Sequence, residues 1–473
     1  MDSIINFLNT IFWQYILIYG LLAVGLYFTI RLRFVQFVHF TEMFRVVFSK
    51  HEADESGISP FQALTVSLAS RVGTGNLVGV AVALYLGGAG AIFWMWMVAL
   101  VGTATAYAES TLAQLYKIKN KQGKYRGGPA YYMSRGLRMP VLAVVFSLSL
   151  LLAYGLIFNA VQANSISEAF HASFGFNKAY IGIALALLTG LVIFGGIKGI
   201  AKFAEVVVPF MAGAYLLLAL YVLIVNISVV PEVVVLIFKS AFGLNQAAGG
   251  IAGGIAAAML NGVKRGLFSN EAGMGSAPNI AAVATPSPHH PSSQGFVQAL
   301  GVFFDTILIC TATAIMILLS GVLSPGSGVT GVELTQLALS HSVGSAGVYF
   351  VTIAIFFFGS TSIVGNYSYA ENALTYLKAD NKVGISILRV GVMLMVLWGS
   401  LQSVQTVFNT ADASMGLMAT INLIAIVLLS NTVVKLTKDY FEQKKQGKSP
   451  HFNASMYPEL KGKVDFEIWK EKS

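Results

Sequence analysis

The chain has 473 residues, of which 56% are hydrophobic and only 11% charged, against about 25% charged in an average soluble domain. That balance excludes a water-soluble fold of this length. A single cysteine, Cys310, excludes a disulfide framework and any Cys-cluster zinc or iron–sulfur site.

The apolar residues fall into separate runs of about 18 to 30, the length that carries a helix across about 30 Å of hydrocarbon. The first, Ile11 to Ile30, lacks a basic leader and is followed by Arg31 and Arg33 instead of a small-residue cleavage site, so it reads as a retained helix and not a secretion signal. Further runs follow at about 61–88, 90–114, 140–165, 178–197, 203–226, 247–286, 295–323, 345–375, 384–401 and 405–432. The expectation is an all-α membrane protein of about eleven transmembrane helices.

Lys and Arg accumulate in cytoplasmic loops, and here they alternate with the spans. Arg31, Arg33, Arg45 and Lys50 fall on one side with Lys117 to Arg138, Lys198, Lys202, Lys378, Lys382 and the tail from Lys435. The other side has almost none, Lys239 lying in its one basic loop. This places the C-terminus in the cytoplasm and the N-terminus outside. The net charge of +9 then reflects topology and anionic lipid, with the bilayer and not nucleic acid as partner. The tail to Ser473 is polar and mixed in charge, which predicts a solvated end with a short helix.

Two spans are interrupted. The second run carries Ala69-Ser70-Arg71-Val72-Gly73-Thr74-Gly75-Asn76, an arginine, an asparagine and two glycines at membrane depth. The seventh carries Ser269-Asn270-Glu271-Ala272-Gly273-Met274-Gly275-Ser276-Ala277-Pro278. Glycine weakens a helix, Arg and Asn are costly in hydrocarbon, and Pro278 removes a backbone donor, so both segments read as half-helices joined by unwound backbone. Such backbone is tolerated only where protein or a water-filled cavity surrounds it. Either glycine pair alone fits close helix packing equally well, as Gly249–Gly254 does, and it is their matching positions that favour unwinding. Neither is a phosphate loop, since no Lys-Ser/Thr ending or βαβ context is present.

Setting the first helix aside leaves two groups of five, each opening with an interrupted helix. Five is odd, so the second group enters from the opposite side, the pattern of an inverted-repeat secondary transporter. The divisions expected are 1–60 (extra helix and loop), 61–226 (first repeat), 227–246 (outer connector), 247–432 (second repeat) and 433–473 (cytoplasmic tail).

The runs Ser70-Arg71-Val72-Gly73-Thr74-Gly75-Asn76, Gly127-Gly128-Pro129-Ala130-Tyr131-Tyr132 and Arg265 through Pro278 closely resemble the alanine or glycine:cation symporters. The resemblance covers almost the whole hydrophobic chain. It implies an inner-membrane carrier of a bacterium or archaeon, with the leucine-transporter-like fold plus one extra N-terminal helix, taking up alanine or glycine with sodium.

Physical reasoning assigns the site by helix ends. Thr74, Gly75 and Asn76 open a half-helix, where free N–H groups and a positive dipole end favour a carboxylate. Unwinding around Gly273 to Gly275 frees carbonyls for an ammonium group. The resemblance adds Met274, whose bulk leaves little room beyond a methyl side chain, with Ser276 beside it, and Asn164 as a polar contact whose alternative is an interhelical hydrogen bond. By analogy with the fold's common sodium site, Thr361 and Ser362 hydroxyls join the carbonyls of Ala69 and Val72, although such hydroxyls also bond their own helix backbone. Asn366 stands where some relatives carry a large aromatic, which leaves the amino-acid preference and its handedness open.

Among other ionisable residues, Glu109 is expected near the cytoplasmic end beside a loop cation, while Asp305 is the foremost proton carrier and Asp412 a lesser one. Lys202 or Asp305 would serve proton coupling, the runner-up to sodium. His289 and His290 fall in a Pro-rich loop expected to be solvated. A channel would need a continuous polar face on several helices, and an enzyme a motif such as HExxH or GxSxG; neither pattern is present.

Overall fold

The computed structural model describes residues 2–49, 54–194, 196–244, 251–324 and 327–470; the side chains of residues 2, 196–205 and 251 also lie outside the description. The described residues are mostly helical, with a two-stranded hairpin pairing Ile118–Lys119 with Tyr125–Arg126 and an isolated bridge between Ile58 and Ala284. In chain order the helices are α1 (Ser3–Arg31), α2 (Phe40–Phe48), α3 (Pro60–Arg71), α4 (Gly75–Gly87), α5 (Gly90–Leu115), α6 (Pro140–Phe174), α7 (Lys178–Ile193) and α8 (Gly196–Val225). They continue with α9 (Val230–Ala241), α10 (Ile251–Asn270), α11 (Pro278–Val283), α12 (Ser292–Ser320) and α13 (Gly331–Val343). Last come α14 (Ser345–Tyr376), α15 (Lys382–Leu401), α16 (Val404–Leu428) and α17 (Ser430–Lys445).

Among the described residues, eight helices are long and apolar enough to cross a bilayer, and nine if the bent pair α3–α4 counts as one span. Two expected spans fall short of that test: α7 has only 16 residues, and the seventh run divides into charged α10 and short α11.

The first interruption is real, with α3 and α4 meeting at 51°. A capping box of Ser59 and Gln62 with Pro60 at the first helical position starts α3, and extended backbone at Val72 (ψ 92°) ends it. Gly73 therefore does not break the helix by its own dihedrals. It is small because a Cβ there would lie 2.3 Å from Ser362 Oγ on α14. The second interruption differs: Glu271, Gly273 and Gly275 all have left-handed backbone, at φ 57°, 89° and 83°. Glycine is needed at 273 and 275 because both dihedrals and neighbours exclude a side chain.

Helix α10 packs on α5 through Gly262 and Gly266, where a Cβ would meet Ala91 O and Val98 Cγ1 at 2.3 Å each. Both are packing glycines. Gly249 and Gly250 lie outside the described residues, and Gly253 faces open space. Helix α1 packs on α5 and α16, with buried Trp13 donating to the Asp412 carbonyl at 3.1 Å.

The tail departs from the sequence reading. Beyond α17 it folds back, burying Trp469 completely, with its indole N–H 3.0 Å from the Leu115 carbonyl. His289 is half-buried, stacked on His451 and tilted against Trp469, and His290 is fully buried against Asp439, so this loop packs against the tail instead of standing free in solvent. Aromatic residues spaced widely through a polar tail carry no periodicity, which is why the sequence conceals this docking.

Candidate substrate and ion site

The two interruptions abut. A Cβ on Gly75 would lie 3.1 Å from Ser269 Cα, and the Ser70 hydroxyl reaches both Glu271 Oε1 (3.2 Å) and Asn366 Oδ1 (2.8 Å). Glu271 also accepts from the Ser276 hydroxyl at 2.6 Å, and Met274 Sδ lies 3.9 Å from the Tyr154 hydroxyl. Asn366 donates to Asn159 Oδ1 across 3.1 Å, tying α14 to α6. All of these side chains are buried.

Side chains satisfy much of the unwound backbone. The Gly73 N–H donates to Asn76 Oδ1 (2.9 Å) and the Thr74 N–H to Gln162 Oε1 (3.1 Å), while the buried Thr74 hydroxyl has no partner among the described residues. In the second break, Asn279 donates to the carbonyls of Gly275 (3.0 Å) and Ser276 (2.8 Å), and Asn422 to that of Gly273 (2.9 Å). Several of the helix-end donors and acceptors expected to be free are therefore already paired, a consequence of the cost of leaving backbone polar groups bare at membrane depth.

Ser362 donates to the Ala69 carbonyl at 3.0 Å and to Phe358 O at 2.9 Å, so one hydroxyl joins α14 to the end of α3. Thr361 returns to its own helix, bonding Phe358 O at 2.9 Å. Val72 supplies the extended residue at the break. No group of three or more His, Cys, Asp or Glu with metal-binding geometry exists among the described residues.

Asn164 stands apart from this cluster. Its amide donates to Gly399 O and Gln402 O at the end of α15, the interhelical alternative. The α6 residues that do reach this cluster are Tyr154, at Met274, Asn159, at Asn366, and Gln162, at the Thr74 N–H, whereas Asn164 is two beyond Gln162 and turned away.

Three carboxylates are buried beside the breaks, Glu109 deeper than the sequence suggested. Glu109 does not pair with a loop cation: it accepts from the Gly273 N–H (3.1 Å) and Asn422 (2.7 Å). Asp305 accepts from Asn76 (2.6 Å), Ser269 (2.6 Å) and Thr306 (2.7 Å) and has no ion-pair partner among the described residues. Glu271 was visible only as part of a motif, yet it stands at the junction; an ionisable residue between glycines at membrane depth is the signal that marks it. Asp412, by contrast, pairs with Arg265 at 2.6 Å and Lys264 at 3.4 Å. Buried Arg71 is held on α12 by Gln298, and its charge acts on Glu109, Glu271 and Asp305. The Lys202 side chain lies outside the described residues.

Two broken helices meeting around hydroxyls, amides and carboxylates in a helical membrane bundle define the secondary-transporter class. The fold agrees with that of MhsT in complex with L-phenylalanine, at a TM-score of 0.56 and 14% identity, covering 82% of this chain and 99% of that one. The chain belongs to the sodium:alanine symporter family, whose sequence profile matches residues 1–454. It is 49% identical to the amino-acid carrier protein AlsT of Bacillus subtilis (strain 168), over 100% of this chain and 99% of the other. It is 46% identical to the probable sodium/glutamine symporter GlnT of the same strain, over 99% and 96%. The protein is thus a multi-pass membrane transporter and not an enzyme.

Proposed function

We propose that the protein imports a small neutral amino acid, alanine or glycine, in symport with sodium by alternating access. The observation that carries this reading is the Ser362–Ala69 contact beside the junction of the two breaks. Sodium takes hard oxygen ligands, and the Ala69 and Val72 carbonyls with the Ser362 and Thr361 hydroxyls are such a set. The ion would bridge α3 and α14 and act through its greater affinity for the substrate-ready state.

The amino-acid carboxylate would take Gln162's place at the Thr74 N–H and meet the unpartnered Thr74 hydroxyl, with Gly75 and Asn76 alongside. The ammonium group would face the Gly273–Gly275 backbone, Ser276 and Glu271, with Met274 and Asn366 limiting side-chain size. Asn164 would act from outside the ligand's contact shell, through its hold on α15.

In this reading the chain has eleven spans: an extra helix within 1–60, repeats at 61–226 and 247–432 joined by 227–246, and a cytoplasmic tail at 433–473. It sits in a bacterial inner membrane with its N-terminus in the periplasm. A proton-coupled second reading is favoured by Asp305, a buried carboxylate held only by neutral donors.

Proteoliposomes given labelled alanine under separately imposed gradients distinguish the two. An inward sodium gradient alone should drive accumulation; accumulation driven by a proton gradient with sodium absent would overturn sodium coupling.

A further inference from the structure

A groove of about 670 Å³ runs along one end of the bundle between the last turn of α1, the segment that follows it, and α17. Arg31, Arg33, Lys438, Lys444 and Lys445 line it, with Glu442 as the acidic counterpart. His39 stacked on Phe441, at 3.7 Å between ring centres, forms part of its wall.

Some of these charges already have partners. Arg31 bonds the Tyr27 hydroxyl (2.8 Å) and Asn431 (2.7 Å), Lys444 pairs with Glu42, and Lys438 lies 3.6 Å from Glu442. The exposed side chains of Arg33 and Lys445 have neither a hydrogen-bond nor an ion-pair partner among the described residues. The groove therefore carries an uncompensated positive charge facing outward.

Val38 lines it as well, and exposed apolar residues flank Arg31 and Arg33 in the chain. Ile30, Phe37 and Val38 are 58%, 56% and 64% exposed, and Phe34 is also exposed. Arg33 and Phe34 both take left-handed backbone, at φ 54° and 58°, a conformation that bulky residues rarely hold without compensation. The turn places a free cation and exposed aromatic residues side by side at the polar end of a membrane-spanning helix.

We propose that this groove binds an anionic phospholipid, its phosphate held by Arg33 and Lys445 and its acyl chains lying along Ile30, Phe34, Phe37 and Val38. A free phosphate would use the cations but none of these apolar residues. A zwitterionic lipid offers the same phosphate but brings its own ammonium beside the cations, and so leaves the groove's net positive charge uncompensated. Basic pockets beside membrane helices recognise anionic headgroups by this combination. The inference rests on the chain spanning a membrane and is independent of substrate or coupling ion.

The test is native mass spectrometry of the delipidated full-length protein titrated with phosphatidylglycerol or phosphatidylcholine, alone and with added inorganic phosphate. Phosphatidylglycerol should bind at least tenfold more tightly than phosphatidylcholine and survive the added phosphate. Each basic residue beside an anionic lipid contributes roughly fivefold, so Arg33→Gln with Lys445→Gln should weaken retention about 25-fold. Arg33→Lys with Lys445→Arg should preserve it, and should the double glutamine variant fail to fold, each single one should read about fivefold. Equal retention by wild type and the glutamine variants, equal retention of the two lipids, or displacement by phosphate would each overturn the proposal.

Discussion

The Ser362 hydroxyl stands 3.0 Å from the carbonyl of Ala69, joining an unbroken helix to the last turn before a break. Removing that oxygen with Ser362→Ala takes away one proposed ion ligand and one helix–helix bond. A lost hydrogen bond of this kind costs about 1 to 1.5 kcal/mol, so half-maximal uptake should need roughly tenfold more sodium. Thr361→Ala should shift it less, because that hydroxyl bonds its own helix. Sodium titrations of labelled-alanine uptake check both, and an unchanged sodium requirement in Ser362→Ala would remove that residue from the site.

Gly73 and the same serine should be coupled in stability. A Cβ at Gly73 would lie 2.3 Å from Ser362 Oγ and 2.9 Å from Gln162 Oε1, so Gly73→Ala alone should lower the melting temperature. Adding Ser362→Ala relieves the nearer contact. The double variant should melt higher than the two separate losses add up to, a coupling of about 0.5 to 3 kcal/mol for touching residues.

Gly273→Ala and Gly275→Ala should be more severe than Gly73→Ala. Left-handed backbone costs a non-glycine residue roughly 1 to 2 kcal/mol, and a Cβ at Gly275 would also lie 2.8 Å from Phe146 and 2.9 Å from Asn422. Gly253→Ala, with nothing within 4 Å, should be neutral or stabilising. Thermal unfolding in detergent ranks the four variants, and equal melting temperatures would contradict the assignment of strain to the second break.

Asp412→Ala should leave buried Arg265 and Lys264 without their counter-charge, a loss of about 3 to 5 kcal/mol. Glu442→Ala, which removes an exposed pair with Lys438, should change stability by under about 1 kcal/mol. A mild Asp412→Ala in a melting assay would mean that the pair is not structural.

His290 provides a pH dependence. Burial pushes its pKa below 6.5 against the opposing pull of Asp439, with the nearby His451 also lowering it. Its Nδ1 accepts the Ser292 N–H at 3.1 Å, so the folded ring is neutral, its other nitrogen facing Asp439. Below the unfolded pKa of about 6.5 the unfolded chain binds more protons than the folded one, and stability falls with pH by at most about 1.4 kcal/mol per unit. Melting temperatures between pH 7.5 and 5.5 should show this slope in the wild type and less of it in His290→Gln.

The broken helices were legible because glycine, arginine and asparagine at membrane depth conflict with an apolar run. Which atoms make each break was not. Val72 carries the first through its backbone alone, which no residue preference at that position signals. The resemblance sets Asn164 beside the ligand, while Asn159 and Gln162 face the site; the stretch is polar all along, and only the packing of α6 against α14 and α15 selects a face. Glu109 from α5 and Asp305 from α12 come to the second break, where Glu271 stands, and Trp469 docks on Leu115 across 354 residues. Contacts so distant in sequence leave no periodic trace.

The central claim is that sodium and the amino acid share one linked site at the meeting of the two breaks. Equilibrium binding of labelled alanine to the purified protein, measured across sodium concentrations, tests it most directly. Sodium should tighten alanine binding, alanine should tighten sodium binding by the same factor, and Ser362→Ala should weaken both. Alanine affinity independent of sodium would contradict the account.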